Sequence, residues 1–158
     1  MHPKIIELQP KLLVGMNLSM SFTDNRTGEL WQSFMPRRGE IRHRIGNEFF
    51  SLQNYSDTGA HPSSPNVHFV KWAAVEVSQS IQAPQGMENY NLAGGKYAVF
   101  RHKGPANQVP ETISKIFGDW LPQSEYQVAT RAHFEVLPEG YNPVDPLAHE
   151  DIWIPIER

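Results

Sequence analysis

The sequence of 158 residues contains no cysteine, which excludes disulfide bonds and thiolate metal sites. It also lacks any run close to the ~18 apolar residues that a membrane-spanning helix requires, and no hydrophobic signal region follows Met1. We therefore expect a cytoplasmic protein that does not associate with a membrane. The length predicts a single domain over residues 1–158.

A surplus of positive charge is also missing. The 14 lysines and arginines are outnumbered by 17 aspartates and glutamates, so we expect no direct contact with nucleic acid. The one basic cluster, at positions 37–44, is interrupted by Glu40. This pattern is typical of a solvated helix end and the loop that follows it.

Signatures of metal binding and of nucleophilic catalysis are absent as well. The seven histidines are scattered, and none belongs to a zinc motif with the spacing of one helical turn. No Gly-x-Ser-x-Gly elbow is present. We predict no metal and no cofactor, and no sequence motif assigns a catalytic residue.

What the sequence does contain is a faint internal repeat. The segment WQSFMP at 31–36 has the aromatic and proline spacing of FGDWLP at 117–122, and Tyr55 and Tyr141 share the same offset. The strand-like segments 50–52 and 134–136 also correspond once two residues are deleted. The repeat predicts two similar units, at about 5–79 and 87–158, with a ligand pocket at the seam between them. The alternative is a chance likeness between two amphipathic helices.

Local patterns predict an α+β fold. Alternation over 5–22 predicts one long strand or a strand with a bulge near Gly15, and apolar residues at helical spacing predict helices at 27–36 and 109–121. The other predicted elements are strands at 49–55, 69–78, 90–92, 97–102, 129–137 and 151–157 and a loop at 56–66. We therefore predict two pseudo-symmetric β-α-β-β repeats that form a mostly antiparallel sheet with both helices on one face.

Period-two alternation divides the strand residues between two faces of this sheet. The face toward the helices is predicted to carry Phe50, Leu52, Val75, Val77, Phe134, Val136, Ile152, Ile154 and Ile156. The other face is predicted to carry Phe49, Ser51, Gln53, Trp72, Ala74, Glu76, His133, Glu135, Trp153 and Pro155. This second face has three large aromatic residues, two carboxylates and no lysine or arginine, which is unusual for a solvent-exposed sheet.

Four segments in the second half resemble GyrI-like domains, also called AraC-type effector-binding domains. They are GKYAVFRHKGP at 95–105, WLPQSEY at 120–126, HFEVL at 133–137 and EDIWIPI at 150–156. The resemblance implies a two-repeat α+β domain with a central cleft. In bacterial transcription regulators of this family, the cleft binds small effectors and drugs that are often cationic and aromatic.

The resemblance also implies a role for one residue, because Glu135 matches the glutamate that supplies the counter-charge to the ligand. The family usually has a tyrosine two positions later, where this chain has Leu137. Either Tyr141 replaces that tyrosine or the aromatic wall differs. The regulators carry an upstream helix-turn-helix domain, whereas here the effector-like region occupies 5–158, so a stand-alone module is expected.

The candidate ligand-binding residues are Glu135, Trp72, Trp153, Phe49, Tyr141 and Glu76. A carboxylate among aromatic rings can hold a flat organic cation through charge attraction and cation–π contacts. From the residues alone, Glu135 could instead be a surface residue or form a salt bridge with Arg131 or Arg101. Trp72 and Trp153 could equally be ordinary core residues.

Three functions from different classes remain open. The first is a binding module for cationic or amphipathic aromatic compounds, in drug sequestration or transcription regulation. The second is a hydrolase of strained electrophilic compounds, with Glu135 as a general base acting through water. The third is an inhibitor that binds a protein partner, either a regulator or DNA gyrase, as the resemblance allows. The smaller number of catalytic groups on the predicted face favours binding over hydrolysis.

Overall fold

A computed structural model describes residues 1–55 and 64–158. Its centre is an antiparallel sheet whose strands are β1 Lys4–Leu8, β2 Lys11–Met20, β3 Phe49–Asn54, β4 Phe69–Val77, β5 Glu88–Leu92, β6 Gly95–Lys103, β7 Gln127–Val128, β8 His133–Leu137 and β9 His149–Glu157. The helices are α1 Thr27–Phe34, α2 Val109–Lys115 and the short α3 Leu121–Gln123. These elements confirm the predicted α+β class. Positions 56–63 of the predicted loop lie outside the described residues.

The strand order reveals the internal repeat. Along the sheet it is β1-β6-β9-β8-β3-β4-β2-β5, with β7 attached to β9. The order β6-β9-β8 in the second half mirrors β3-β4-β2 in the first, and β8 and β3 meet at the centre. Each half also lends its leading short strand to the other, because β1 pairs with β6 and β5 pairs with β2. The predicted pair of pseudo-symmetric units is therefore present.

The prediction of one long strand over 5–22 was wrong, because the chain breaks at Pro10 and its two parts lie in opposite halves of the sheet. Proline has no N–H to donate to a sheet ladder, which favours a break at this position. Gly15 forms no bulge either, since β2 and β4 keep one register from Leu12 to Met20. A side chain at Gly15 would collide with the backbone of Ala73, so the glycine allows the two strands to approach closely.

In both helical segments, the chain continues as another type of helix where the α-helix ends. α1 continues directly into a 3-10 helix, Met35–Glu40, so this helical segment runs past the predicted end at position 36. α2 continues into a π-helical turn, Ile116–Trp120, before α3. The predicted strand at 129–137 is shorter than expected, because only β8 lies within it and an irregular segment separates β8 from β7.

Both helices pack on the same face of the sheet, as predicted. Leu30 and Phe34 of α1 pack with Val75 and Val77 of β4. The second helical segment packs with β6 and β9 through Ile113, Ile116, Ala98, Ile152 and Ile154. These two groups lie on one face of the sheet, because directly paired residues share a face. Ser51 is paired with both Ala73 and Glu135, and Glu135 is paired with Ile152.

The central strands present the opposite face to the one predicted. Phe50, Leu52, Phe134 and Val136 lie away from the helices, with Trp72, Trp153 and Tyr97 in a separate apolar cluster. Phe49, Ser51, Gln53, His133 and Glu135 lie on the helix side. Alternation had divided the residues of each strand correctly into two sets, but it could not show which sets of neighbouring strands lie on the same face. The register does so, since Leu52 is paired with both Trp72 and Phe134.

Candidate functional site

A large cleft of about 1250 Å³ lies between α1 and α2, above the centre of the sheet. Its floor comes from β3, β4 and β8, and its walls come from α1, α2 and the segments that follow the 3-10 helix Met35–Glu40 and β8. The lining residues that carry charged, amide or aromatic side chains are Phe22, Asn25, Trp31, Arg38, Arg44, Asn47, Phe49, Gln53, Tyr55, Phe69, Lys71, Asn107, Phe117, Glu135, Glu139, Tyr141 and Glu150. The cleft therefore lies at the seam between the two repeats, where the sequence placed it.

Glu135 lies on the floor of the cleft and is only 6% exposed. The Nε2 of Gln53 donates hydrogen bonds to both carboxylate oxygens, at 3.2 and 3.1 Å. Within the described residues, no salt bridge reaches this carboxylate. The two partners that the sequence offered are engaged elsewhere, because Arg101 pairs with Asp151 and Arg131 donates to backbone carbonyls.

Burial raises the pKa of the Glu135 carboxyl to about 7, because the charged form loses its contact with water. The nearby carboxylate of Glu150 raises this pKa further, whereas the charge of Lys71 and the hydrogen bond from Gln53 lower it. The carboxyl is thus divided between its protonated and ionised forms near neutral pH. A cationic partner entering the cleft would favour the ionised form.

A second carboxylate accompanies Glu135. Glu150 on β9 is buried, and Tyr141 donates a hydrogen bond to its Oε2 at 2.6 Å. Burial and this carboxylate together raise the pKa of the Tyr141 hydroxyl, so the tyrosine remains the donor. Since Glu135 is paired with Ile152, two residues beyond Glu150, the two glutamates are diagonal neighbours about 7–8 Å apart.

Aromatic rings from both repeats line the cleft. Trp31 of α1 and Phe117 of the π-helical turn occupy equivalent positions in the two repeats, and both line the cleft. The Trp31 ring meets Phe49 edge to face, with centroids 6.1 Å apart. The ring of Phe117 stacks on His133 at 6.2 Å. Single π-helical turns of this kind are frequent at functional sites.

Cationic side chains also line the cleft, which the sequence analysis did not anticipate. Arg38 and Arg44, which were assigned to a solvated segment, both line it, and Lys71 lies beside Gln53 in the register of β4 and β3. The guanidinium of Arg44 lies 4.7 Å from the centroid of the Phe49 ring. The cleft is therefore not uniformly acidic.

The structure brings together only half of the predicted ligand-binding residues. Glu135, Phe49 and Tyr141 line the cleft. Trp72 and Trp153 were wrongly placed there, because the register puts both on the far face, in the apolar cluster with Phe134.

Glu76 is also on the far side of the sheet from the helices, where its carboxylate accepts from the Nζ of Lys11 at 3.2 Å. It shares that face with Trp72, four residues earlier in β4. The acidic half of the cleft is instead completed by Glu150, which the sequence analysis did not single out.

The most informative signal for the missed wall residues was the internal repeat. Trp31 and Phe117 are the first residues of the two repeated motifs. A pseudo-twofold axis through a cleft places equivalent residues on its two walls. Glu150 is the first residue of the EDIWIPI segment, but its place in the cleft depends on the register between β8 and β9.

Among residues 1–55 and 64–158, no three His, Asp or Glu side chains are grouped so as to hold a metal ion. In the same part of the chain, no helix is long and apolar enough to cross a membrane.

Comparison with known proteins identifies the family. The model of the GyrI-like small molecule binding domain matches residues 1–157. The chain is a GyrI-like domain. It is 31% identical over 157 residues to the transcriptional regulator BrlR of Pseudomonas aeruginosa, an alignment that covers 99% of this chain and 56% of BrlR. The GyrI-like domain thus spans about half the length of the curated relatives it matches.

Solved structures share the fold of this GyrI-like domain. A bacterial transcription regulation protein from Staphylococcus aureus matches with a TM-score of 0.72 and 16% identity, over 100% of this chain and 99% of that chain. The structure of SAV2435 bound to tetraphenylphosphonium matches with a TM-score of 0.66 and 15% identity, over 99% of this chain and 94% of the other. The predicted family and fold are both confirmed.

Proposed function

We propose that the cleft of this GyrI-like domain binds small aromatic compounds that carry a positive charge, with Glu135 as the counter-charge. The observation that carries this proposal is a buried carboxylate that accepts only amide hydrogen bonds among the described residues. Burying an ionised carboxylate without a cation is costly, which is the origin of its raised pKa. A ligand that supplies the missing cation recovers part of that cost.

The walls of the cleft support the same class of ligand. Trp31 and Phe117 can contact a flat or multi-ring compound from opposite sides, and each cation–π contact contributes about 0.5–2 kcal/mol. The volume of the cleft, about 1250 Å³, exceeds that of a typical drug-sized pocket. We expect it to accept several ligand shapes, because large aromatic contacts require no single hydrogen-bond geometry.

The proposal is tested with a permanent cation. Tetraphenylphosphonium, the ligand in the SAV2435 structure, cannot lose its charge, and triphenylphosphine oxide is a neutral compound of similar shape. Isothermal titration calorimetry at pH 8 should show that Glu135→Gln weakens binding of the phosphonium by on the order of 1–3 kcal/mol. The neutral oxide should lose less.

The matched control is Glu76→Gln, which removes a carboxylate from the opposite face of the same sheet. It should leave the phosphonium affinity unchanged. Equal weakening of both compounds by Glu135→Gln would show that the charge of Glu135 does not drive binding. Failure of the wild-type protein to bind either compound would refute the proposed function.

We further propose that the domain acts as the effector-binding part of a regulatory system. BrlR is a transcriptional regulator, and the aligned region covers 56% of its length. A ligand that fills the cleft contacts both repeats, so binding can change how the two halves of the sheet pack at the β3–β8 junction. Hydrogen exchange with and without tetraphenylphosphonium should show protection in α1 and α2 together.

Hydrolysis is the second candidate, and one observation favours it. A carboxyl with a pKa of about 7 is suited to act as a general base near neutral pH. Incubation with strained-ring and ester electrophiles tests this activity directly. Multiple turnovers that disappear in Glu135→Gln would establish an enzyme, whereas stoichiometric binding without turnover would support the binding function alone.

A further inference from the structure

The cleft has two oppositely charged ends. Six charged side chains line it, and they are divided equally between the cations Arg38, Arg44 and Lys71 and the carboxylates Glu135, Glu139 and Glu150. A ligand with only a positive charge would pair with the carboxylates, but the three cationic side chains would repel it. The lining therefore matches a ligand of low net charge better than a simple cation.

Each end of the cleft has an excess of one sign: two carboxylates and Lys71 lie at one end, and two arginines and Glu139 lie at the other. Glu135 and Glu150 lie on β8 and β9, beneath the half of the cleft that α2 covers. Arg38 follows α1 in the 3-10 helix, and Arg44 precedes β3. The acidic groups thus belong to the second repeat and the two arginines to the first.

The register gives the separation of the two ends. The guanidinium of Arg44 lies against the ring of Phe49, two residues before Ser51 on the same face of β3. Ser51 is the cross-strand partner of Glu135. Two residues of antiparallel strand span about 7 Å, so the arginine end is offset from Glu135 by about that distance along the strand.

Glu139 partly neutralises the arginine end. Burial and the neighbouring charge of Arg38 lower the pKa of the Arg44 guanidinium, and the charge of Glu139 opposes this shift. Two arginines face one carboxylate at this end, which leaves one positive charge without a counterpart in the lining. That charge can interact with an anionic group of a ligand.

Two buried polar atoms in the lining have no hydrogen-bond partner among the described residues. At the acidic end it is the Oε1 of Gln53, a side chain that is only 5% exposed. At the basic end it is the Nε of Arg44. Buried polar atoms are rarely left without a partner. One is an acceptor and the other a donor, so the two ends differ in hydrogen-bonding character as well as in charge.

We propose that the preferred ligands of this cleft are amphoteric aromatic compounds, with a cationic nitrogen at Glu135 and Glu150 and a carboxylate or similar anion at Arg44 and Arg38. This inference rests on the proposed function, because it assigns the cationic group to the same glutamate. It adds a second requirement, an anionic group about 7 Å or more from the cation.

Two fluorescent dyes that differ in one group provide the test. Rhodamine 110 carries a free carboxylate, and rhodamine 123 is its methyl ester on the same cationic ring system. Fluorescence anisotropy at pH 8 should show that the wild-type protein binds the acid about tenfold more tightly than the ester, the lower end of the gain from a hydrogen bond to a charged group.

The variant Arg44→Gln should reverse this preference. The acid should bind about tenfold more weakly, because its counter-charge is lost. The ester should bind more tightly, because a like charge has been removed from the cleft. Arg37→Gln is the matched control: it removes an arginine from the same segment, but one that pairs with Glu40 at 2.8 Å and does not line the cleft. It should keep the preference for the acid.

The outcomes separate this inference from the proposed function. Equal affinity of the wild-type protein for the two dyes, or equal weakening of both by Arg44→Gln, would overturn the amphoteric assignment. The proposed function would stand in either case if Glu135→Gln weakens both dyes. If the wild-type protein binds neither dye, the amphoteric assignment is overturned. If it also fails to bind tetraphenylphosphonium, the proposed function is refuted as well. Thermal unfolding of each variant establishes that it is folded.

Discussion

The two faces of β3 and β8 carry equally buried side chains but differ in what surrounds those side chains. On the far face, Phe134 is 1% exposed and contacts the rings of Phe50, Tyr97 and Trp153 at centroid distances of 5.8, 5.3 and 5.2 Å. On the cleft face, the adjacent Glu135 is 6% exposed and contacts Gln53. One face is filled by packing, whereas the other borders an open volume.

The difference shows that low exposure alone does not identify a structural core. Apolar rings stabilise the fold by leaving water and packing closely, and this stabilisation needs no partner from outside the chain. A buried carboxylate and amide instead lower the stability unless something supplies the missing hydrogen bonds or charge. We therefore assign stability to the far face and ligand binding to the cleft face, and three predictions test this division.

The largest effect is expected from Phe134→Ala. Removing this ring leaves a cavity among Phe50, Tyr97 and Trp153, and the free energy of unfolding should fall by about 3–5 kcal/mol. Denaturant unfolding monitored by circular dichroism measures the change. Ser51→Ala, a truncation on the cleft face of the neighbouring strand, is the control and should cost less than about 1 kcal/mol. Similar losses in the two variants would remove the distinction between the faces.

A smaller effect of opposite sign is expected from Glu135→Gln. The pKa of this carboxyl is about 7 in the folded protein and 4.5 in its ordinary range. The folded state therefore holds the proton more tightly than the unfolded state between these values, and the free energy of unfolding falls as pH rises from about 4.5 to about 7. Above pH 7 the full penalty, up to about 3 kcal/mol at ~1.4 kcal/mol per pH unit, is present.

Glutamine does not titrate, so the variant lacks this part of the pH dependence. Without ligand, its stability relative to the wild-type protein should rise by up to about 3 kcal/mol between pH 4.5 and pH 8. Denaturant titrations at four pH values measure this, with Glu76→Gln as the control from the opposite face. Parallel stability curves for wild-type protein and Glu135→Gln would mean that the carboxyl is not penalised by burial.

The sequence predicted the elements and the seam between the repeats, because both depend on local pattern and on internal similarity. It identified both helices and most strands, and the resemblance to a known family identified the glutamate on the floor of the cleft. The long strand failed at Pro10, because alternation continues through the break and only the absent N–H marks it. The helices and strands follow from residues that are close together in the chain, and the seam follows from the likeness between the two halves.

The faces of the sheet could not be predicted in the same way. Which side of β3 and β8 meets the helices depends on pairings such as Leu52 with Phe134, more than 80 positions apart in the chain. A shift of one residue exchanges the two faces. For the same reason, Trp72 and Trp153 were assigned to the cleft, whereas Arg44 and Glu150 were not.

The smallest effect is expected where the sequence had predicted a wall of the site. Trp153 lies on the far face, stacked on Phe134, and its indole Nε1 is buried without a hydrogen-bond partner among the described residues. Trp153→Phe loses apolar area but also removes the unpaired donor, so the free energy of unfolding should change by less than about 1 kcal/mol. The affinity for tetraphenylphosphonium should not change, because the ring lies behind the sheet.

Trp31→Leu, on the cleft wall, is the matched comparison and should weaken binding by about 0.5–2 kcal/mol. Titration calorimetry of both variants decides between the two faces: weaker binding in Trp153→Phe with unchanged binding in Trp31→Leu would place the ligand on the far side of the sheet.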